Sequence, residues 1–260
     1  MNRADIIALY TQDQRIEVEY PDSRRERLPN LVRHVNTSGG EGAIIYSDLD
    51  EHNVEQTIQE QLAYFNAIGQ DFEWKLYDYD QPPDLKERLA ALGFEIEEPE
   101  AIMVLDLRQA PAALFQPVKH DLRQIIKPEA LQDVRQIEEQ VWDTDETDLI
   151  EYLTGGLTDH PDQLSIYVAY IDNVPASSGW IYFPKGSRFA SLWGGSTVEQ
   201  YRKQGLYTAL LAVRAQEARK RGVEYLTVDA SPMSRPILEK FGFEIIAYAY
   251  ACKAKAKLNA

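Results

Sequence analysis

Apolar side chains recur every three or four residues in two segments, and this spacing predicts a helix in each half of the chain. In the first half the apolar stripe ends at Gly69 and consists of Val54, Ile58, Leu62 and Phe65. In the second half it follows Pro128, a helix start signal, and consists of Leu131, Val134, Ile137 and Val141. A second short helix is predicted from Thr147 to Leu153.

Strand patterns fill much of the second half. Turn signals at Asp172-Asn173 and Lys185-Gly186 separate three segments, which are Leu164 to Ile171, Pro175 to Phe183 and Arg188 to Val198. This arrangement predicts an antiparallel meander. The other predicted elements are a strand from Val118 to Ile126, a helix from Leu206 to Gly222, a strand from Val223 to Asp229, a short helix ending at Gly242 and a strand from Phe243 to Lys253. The predicted order, βααβββαβαβ, defines an α/β (α+β) class.

The first half contains a fainter copy of the second. Aligning Gly93 with Gly242 pairs LAALGFEI with LEKFGFEI, and it also pairs Asp80 with Asp229. A chance match of short apolar motifs is the alternative, but we favour a duplicated unit. The segment RQAPAALFQP has two prolines and no period, which is typical of a linker. We therefore predict domains at residues 1 to 110 and 118 to 260, joined by a linker at 111 to 117.

Composition and charge limit the classes of partner. The chain has 260 residues, of which 44% are hydrophobic and 27% charged, as expected for an ordinary folded protein. Its formal charge of −15 would repel a phosphate backbone, so we expect no nucleic-acid partner. The same field would attract a cationic amine, although an acidic surface that serves only solubility is the alternative.

Cysteine and hydropathy point to a reducing compartment. The single cysteine, Cys252, cannot form an internal disulfide, and we expect it to be a small buried or edge residue of a strand. The first residues lack the apolar core of a signal peptide, and no apolar stretch reaches the roughly 20 residues of a membrane span. We expect a cytoplasmic location and no membrane contact.

The most informative segment, SLWGGSTVEQYRKQGLYTALL, runs from a predicted strand through a turn at Gly205 into a helix. A helix N-terminus presents unpaired N–H groups and the positive end of a dipole, and each favourable contact with an anion contributes roughly 0.3 to 1 kcal/mol. Gly205 can adopt positive φ and lets a ligand approach the backbone, while Arg202 and Lys203 add positive charge. This loop is therefore predicted to bind a diphosphate.

The same residues resemble a known family. Arg202-Lys203-Gln204-Gly205 resembles the (Q/R)xxGx(G/A) loop of GNAT (GCN5-related) N-acetyltransferases, and LEKFGF resembles their terminal helix-to-strand motif. The resemblance implies a GNAT fold, with a mixed, mostly antiparallel sheet flanked by helices, and acetyl-coenzyme A as cosubstrate without a metal. It implies these coenzyme-binding residues: Gly195, Ser196, Thr197, Arg202, Lys203, Gln204, Gly205, Leu206, Tyr207, Thr208 and Ser231.

Three positions depart from the family pattern. Tyr207 replaces a second small residue of the loop, Ser231 replaces an asparagine, and Leu238 replaces the tyrosine that protonates the departing thiolate in many members. Ser234 is a candidate substitute for this acid, with helix capping as the alternative. Asp229 is the candidate general base, with turn capping as the alternative.

The acceptor is expected to be a primary amine of a small molecule or peptide. Three aromatic residues on adjacent predicted strands are candidates for lining its pocket, with core packing as the alternative: Trp180, Tyr182 and Trp193. In the first half, SDLDEHN has three carboxylates and no glycine at the phosphate position, so we expect no coenzyme there. The aromatic residues Trp74 and Tyr79, with the surface of this half, are candidates for shaping the acceptor site or a homodimer contact.

These patterns leave three functional hypotheses. The first is an acetyltransferase that works by direct attack of the amine on the thioester. The second is a non-catalytic acyl-coenzyme A binding or regulatory module, which the missing tyrosine favours. The third is a tandem transferase that uses aminoacyl-tRNA, against which the charge of −15 argues.

Overall fold

The computed structural model describes residues 2 to 257, and the helices and strands follow one another along the chain. In the first part these are α1 (Arg3–Tyr10), a π-helical turn (Thr11–Ile16), β1 (Ser23–Arg27), β2 (Leu31–Asn36), β3 (Gly42–Ser47), α2 (Val54–Ile68), β4 (Phe72–Tyr77), α3 (Leu85–Ala91), β5 (Glu95–Ile96) and β6 (Glu100–Asp106). They are followed by β7 (Asp121–Ile125), α4 (Leu131–Trp142), α5 (Thr147–Asp159), β8 (Leu164–Ile171), β9 (Val174–Tyr182), β10 (Phe189–Thr197), α6 (Leu206–Lys220), β11 (Tyr225–Ala230), α7 (Arg235–Lys240) and β12 (Glu244–Ala254).

The chain divides into two compact units. Unit 1 contains residues 2 to 103, Asp229–Arg235 and 245 to 257, whereas unit 2 contains Val104–Val228 and Pro236–Glu244. Both units are discontinuous, so they do not coincide with the predicted boundaries at residues 110 and 118. Those domain boundaries stay a prediction.

In unit 1 the strands follow the order β1-β2-β3-β4-β12-β6, and β5 also pairs with β12. β3 and β4 are parallel, and the paired residues end at Ile44 and Trp74. The predicted apolar face of α2 packs on this sheet, where Ile58, Phe65 and Trp74 are almost fully buried. Trp74 is therefore a core residue and does not lie on a surface. Cys252 lies in the same core, as predicted, and burial raises the pKa of its thiol to about 12.

In unit 2 the strands follow the order β11-β10-β9-β8-β7. The predicted meander is confirmed, because β7 to β10 pair with antiparallel neighbours and β10 pairs parallel to β11. On β8, Ile166 and Val168 pack with α4 and α5, whereas the alternate residue Tyr167 donates a hydrogen bond to Glu217 of α6. The helices α4 and α6 consequently cover opposite faces of this sheet.

The predicted linker is a packed segment. Residues Ala112–Phe115 form a 3₁₀ turn, and Leu114 is completely buried. The side-chain amide of Gln216 on α6 donates to the carbonyls of Leu114 and Gln116, both at 2.9 Å. The Arg219 guanidinium lies 3.5 Å from the centre of the Phe115 ring. This segment is therefore held against α6 and belongs to unit 2.

The internal alignment is visible in the backbone. Gly93 follows α3 with φ 92°, and Gly242 follows α7 with φ 85°. The apolar residues before and after these glycines are buried in the same pattern: Leu89 and Leu238 are fully buried, and Phe94 and Phe243 are nearly so. The mixed α/β fold and its two related halves were correctly predicted.

Candidate functional site

The strands β10 and β11 separate in the middle of β10. Their parallel pairing ends at Ser191 and Thr227, but β10 continues to Thr197 along β9. The hydroxyl of Thr227 is buried and has no hydrogen-bond partner among the described residues. The second half of β10 therefore presents an edge that β11 does not pair, beside an unused polar group.

A bulge interrupts β10 just beyond this separation. The register with β9 shifts between Gly194 and Ser196, and both Gly194 and Gly195 have positive φ, 66° and 93°. A Cβ on Gly194 would lie 2.5 Å from the Trp180 ring, and one on Gly195 would lie 2.8 Å from the Tyr207 ring. Glycine is required at both positions because a side chain would be strained and would clash.

The turn before α6 is exposed and glycine-capped. Lys203 and Gly205 have φ 63° and 82°. The amide of Ala209 makes the first helical bond, to the carbonyl of Gly205 at 2.9 Å. The amides of Leu206, Tyr207 and Thr208 precede that bond and have no acceptor within the helix. No side chain in the described part of the chain caps this end.

Two side chains support the turn from its sides. Arg202 donates from Nε to the carbonyl of Thr197 at 3.2 Å, so its position is tied to the end of β10. The His120 Nε2 atom lies 3.0 Å from the carbonyl oxygen of Gln204, and the imidazole packs beside Gly205. Tyr207 places its ring against Gly195. The structure thus gathers the predicted residues from Gly195 to Thr208 in unit 2, and their ligand-binding roles stay predictions.

Arg214 of α6 lies on the same face of the sheet as Tyr207, under the bulge. It is almost fully buried and donates from Nη1 to the carbonyls of Trp180 at 3.1 Å and Trp193 at 3.0 Å. Gly179 leaves the space for it, since a Cβ there would lie 3.0 Å from Nη1. No carboxylate among residues 2 to 257 pairs with this guanidinium, and burial lowers its pKa to about 10.

The opposite face of the bulge carries a buried carboxylate. Glu138 of α4 is only 2% exposed. It accepts hydrogen bonds from the hydroxyls of Ser178 and Ser196 and from the indole N–H of Trp142, the last at 3.0 Å. Burial raises the pKa of this carboxyl above its ordinary value. An acidic group that stays in such a site is a candidate for proton transfer.

The three other predicted site residues lie in unit 1. The carboxylate of Asp229 pairs with the ammonium group of Lys75. Burial alone would lower the pKa of Lys75, but the charge of Asp229 opposes this effect and the pKa is raised. Ser231 and Ser234 share a turn, in which their hydroxyl oxygens are 3.3 Å apart and the Ser234 amide donates to Ser231 Oγ at 3.4 Å. In this turn the hydroxyl that accepts an amide belongs to Ser231, and the Ser234 hydroxyl donates to the Ser231 carbonyl at 3.3 Å, so these contacts do not show Ser234 as a cap. The roles predicted for these residues, including proton abstraction by Asp229, stay predictions.

The predicted acceptor aromatics divide into two groups. Trp180 is buried in the core between α4 and the sheet. Trp193 is 47% exposed, and its ring lies 6.4 Å from that of Tyr182, nearly perpendicular to it. A ligand can therefore reach the pair formed by Tyr182 and Trp193, whereas Trp180 is better described as a core residue.

Unit 1 fills the corresponding place with its own side chains. Between β3 and α2, the carboxylate of Asp50 accepts hydrogen bonds from the amides of His52 at 2.8 Å and Asn53 at 3.1 Å. Beyond the last paired residues of β3 and β4, Arg15 donates to the carbonyl of Ile45 at 2.8 Å and binds both oxygens of Asp80 at 2.8 and 2.7 Å. A protein carboxylate thus binds the turn before α2, and a protein guanidinium occupies the place where β3 and β4 stop pairing.

Sequence reasoning missed Glu138, Arg214 and His120. Glu138 had a signal, because Leu131, Val134, Glu138 and Val141 also follow spacings of three and four. A carboxylate within such a stripe is expected to be buried. No signal in the sequence indicated Arg214 or His120, since a cation on a helix and a histidine in a loop usually face solvent.

Comparison with known proteins identifies the relatives of this arrangement. Residues 122–243 match the acetyltransferase (GNAT) family. A GCN5-related N-acetyltransferase from Kribbella flavida is similar over 96% of this chain and 93% of its own, with 14% identity and a TM-score of 0.66. A tandem GNAT protein from the clavulanic acid biosynthesis pathway is similar over 94% of this chain and 87% of its own, with 14% identity and a TM-score of 0.61.

A conserved protein of unknown function from Staphylococcus epidermidis has the same fold, with 12% identity, a TM-score of 0.68 and coverage of 92% of this chain and 96% of its own. No curated protein sequence matches the chain. At these identities the structural likenesses concern the fold. Among the described residues, no helix has both the length and the apolar character that a bilayer crossing requires.

Proposed function

We propose that unit 2 binds acetyl-coenzyme A and transfers its acetyl group to a primary amine, since residues 122–243 match the acetyltransferase (GNAT) family. The observation that carries this proposal is the uncapped N-terminus of α6 beside the unpaired edge of β10. A helix N-terminus of this kind binds phosphate groups through backbone amides. The diphosphate would lie at the amides from Lys203 to Thr208, with Arg202 and Lys203 close by.

The pantetheine arm has amide groups that suit a strand edge. We place it along Gly195, Ser196 and Thr197, where β10 has no pairing with β11. The ligand would then complete the strand's hydrogen bonds as an additional strand would. The two positive-φ glycines keep the backbone accessible at the bulge, where the thioester would be held.

The reaction is a direct transfer. A neutral amine attacks the thioester carbonyl, the carbon–nitrogen bond forms, the carbon–sulfur bond breaks, and the thiolate leaves with a proton. Since an amine with an ordinary pKa is protonated at neutral pH, it loses one proton to solvent before the attack, and the site needs a group that accepts a second proton during the transfer. The acidic surface, with a formal charge of −15, favours the approach of a cationic amine.

A second candidate is an acyl-coenzyme A sensor without turnover. Leu238, at the position of the family's acidic tyrosine, is completely buried and apolar. Asp229 is held by Lys75. Tight coenzyme binding with no acetylation of any amine would favour this second candidate.

Calorimetry tests where the coenzyme binds. Coenzyme A would be titrated into the wild type, Gly205→Ala and Gly205→Asp. Both substitutions place a side chain at φ 82°, but only the aspartate adds a charge at the diphosphate. We expect Gly205→Asp to bind at least about tenfold more weakly than Gly205→Ala. Equal affinities of the two variants would place the diphosphate elsewhere.

Free-thiol release tests the transfer. Acetyl-coenzyme A would be mixed with the protein and a panel that contains a polyamine, an aminoglycoside, amino acid esters and a peptide with a free amino terminus. Thiol release that depends on one of these amines, with the acetylated product seen by mass spectrometry, supports acetyl transfer. Binding without release across the panel contradicts it and supports the sensor.

A further inference from the structure

Glu138 has an unusual environment for a carboxylate. It is 2% exposed, and no Lys, Arg or His among residues 2 to 257 forms an ion pair with it. Its partners are two serine hydroxyls and an indole N–H. A buried charge without a cation costs several kcal/mol relative to a neutral residue of the same shape. Packing and stability alone would be served better by a glutamine.

The position of this carboxylate relates it to the bulge. Ser196 follows Gly195 directly and donates to Glu138 Oε2 at 2.5 Å, so one hydroxyl connects the carboxylate with the backbone of the bulge. The Trp142 indole donates to the same carboxylate oxygen and lies 3.2 Å from Ser196 Oγ. Ser178 donates to the other oxygen, Oε1. The two carboxylate oxygens therefore have different neighbours, only one of which lies on the bulged strand.

Trp142 separates this cluster from solvent. The residue is 58% exposed, although its indole N–H reaches Glu138 and Ser196. It is the last residue of α4, and Asp143 follows it in the left-handed conformation, φ 55°. Rotation of one surface side chain would thus open the serine and the carboxylate to a ligand.

We propose that Glu138 is the proton acceptor of the transfer reaction and that Ser196 passes the proton to it. This inference rests on the function proposed above. As the amine nitrogen bonds to the thioester carbon, its proton moves to Ser196 Oγ, and the hydroxyl proton of Ser196 moves to Glu138 Oε2. The carbon–sulfur bond then breaks, and Glu138 returns the proton to solvent while the thiolate is protonated. The net products are the amide and coenzyme A thiol.

The charges around Glu138 suit this role. β9 presents the Ser178 hydroxyl, β10 presents the Ser196 hydroxyl, and α4 itself presents the Trp142 indole. Glu146, just before α5, adds a negative charge. Burial is the largest influence and, with Glu146, it outweighs the three hydrogen bonds, so the pKa of Glu138 is raised and its carboxylate is a stronger proton acceptor than an exposed one.

The decisive variant is Glu138→Gln. A glutamine can keep all three contacts, with its carbonyl facing Trp142 and Ser196 and its amide facing Ser178, but it cannot accept the proton. We expect unchanged thermal stability or a higher one, unchanged affinity for coenzyme A, and kcat lowered by about 10² to 10⁴. In the wild type, kcat should fall at low pH, where Glu138 becomes protonated, and this fall should be absent in Glu138→Gln. Glu138→Asp should restore part of the rate and part of this pH dependence.

A serine pair tests the path of the proton independently of Glu138. Ser196→Ala removes the hydroxyl between the bulge and Oε2, whereas Ser178→Ala removes an equivalent hydroxyl from Oε1. We expect a large loss of kcat for Ser196→Ala and a small one for Ser178→Ala. Equal rates in the two variants would overturn the relay.

Several outcomes separate this inference from the proposed function. If Glu138→Gln acetylates the best amine of the panel at the wild-type rate, Glu138 is not the proton acceptor, although acetyl transfer stands. If Glu138→Gln raises only KM and keeps the pH profile, the carboxylate merely binds the amine, and the inference also fails. If the wild type binds coenzyme A but acetylates no amine, the proposed function fails, and this inference fails with it.

Discussion

Among the described residues, neither α6 nor α2 has a side-chain cap, but the turns before them differ: α6 follows an exposed glycine, whereas before α2 the carboxylate of Asp50 accepts the amides of His52 and Asn53. A similar contrast holds where the parallel strands separate. Within residues 2 to 257 the buried hydroxyl of Thr227 has no partner beside β10, but Arg15 spans the end of the paired region of β3. The two units therefore differ at the places where the proposed coenzyme site lies in unit 2.

The comparison also shows how unit 1 satisfies its own polar groups. Arg15 binds both oxygens of Asp80, and its guanidinium lies 3.9 Å from the centre of the Tyr77 ring. A bidentate ion pair of this kind supplies the hydrogen bonds and the charge that a ligand would otherwise supply. Unit 1 thus pairs these groups internally, while in unit 2 the buried hydroxyl of Thr227 has no hydrogen-bond partner among the described residues.

The largest expected effect comes from opening unit 1. Arg15→Met leaves the Asp80 carboxylate buried without its cation, and we expect a loss of about 3 to 5 kcal/mol in the free energy of unfolding. Urea denaturation measures this loss. The double variant Arg15→Met/Asp80→Asn, which removes both charges, should recover much of it. If the single variant loses less than about 1 kcal/mol, the ion pair does not hold unit 1 together.

The next effect concerns the bulge in unit 2. Arg214→Met removes the donor to the carbonyls of Trp180 and Trp193, and we expect a loss of about 2 to 3 kcal/mol in stability with weaker coenzyme A binding. Denaturation and calorimetry measure the two effects. Arg219→Met is the matched control, because this cation lies on the same helix and contacts the Phe115 ring. Equal coenzyme affinities in the two variants would show that Arg214 does not shape the site.

Acidification should change stability in opposite directions through a buried group of unit 1 and a buried group of unit 2. His34 in β2 is buried, and burial and then Arg25 lower its pKa to about 4. The unfolded chain, with an ordinary pKa near 6.5, binds this proton first, so stability is lost as the pH falls from about 6.5 towards 4. We expect a loss of about 2 kcal/mol at pH 5 relative to His34→Phe.

Glu138 gives the opposite sign, since its folded pKa is raised and the folded state binds the proton more readily. The wild type should therefore gain stability on acidification relative to Glu138→Gln. Chemical denaturation at pH 7.5 and pH 5 measures both differences. A His34→Phe variant with the same pH dependence as the wild type would exclude the buried histidine as the cause.

The smallest effect tests whether the closed site can be reopened. Asp50→Ala frees the amides of His52 and Asn53 in the turn before α2, and we expect a loss of about 1 kcal/mol in the free energy of unfolding from the missing hydrogen bonds. No second coenzyme site should appear, because Arg15 still occupies the strand junction. Calorimetric stoichiometry measures this. A second bound coenzyme A would mean that Asp50 alone closes unit 1.

Local patterns predicted much of unit 2. The meander, α4 and α6 follow from apolar periodicity and turn residues, and the N-cap glycine of α6 follows from its sequence context. The edge strand β1, SRRER, has no buried residue and therefore no apolar alternation to detect. The packing of Ala112–Phe115 on α6 depends on Gln216 and Arg219, which are distant in sequence.

The candidate site was predicted in part where backbone geometry defines it and missed where burial of charge defines it. The positive φ of Gly205 was predicted from its place before the helix, whereas the positive φ of Gly194 and Gly195 was not predicted. Glu138 and Arg214 were not predicted either, because the burial of a charged side chain depends on strands that lie far away along the chain. For the same reason, the sequence did not reveal that Lys75 pairs with Asp229.

The pairing of β12 with β4 has a consequence for synthesis. Ala249 pairs with Tyr77, and the continuous segment Val104–Val228 of unit 2 lies between them in the chain. As the chain leaves the ribosome, the first 103 residues must wait for a strand that is made much later, while most of unit 2 is already available to fold. An expression fragment that stops before β12 would consequently leave unit 1 unfinished, even though it retains every residue of the coenzyme loop.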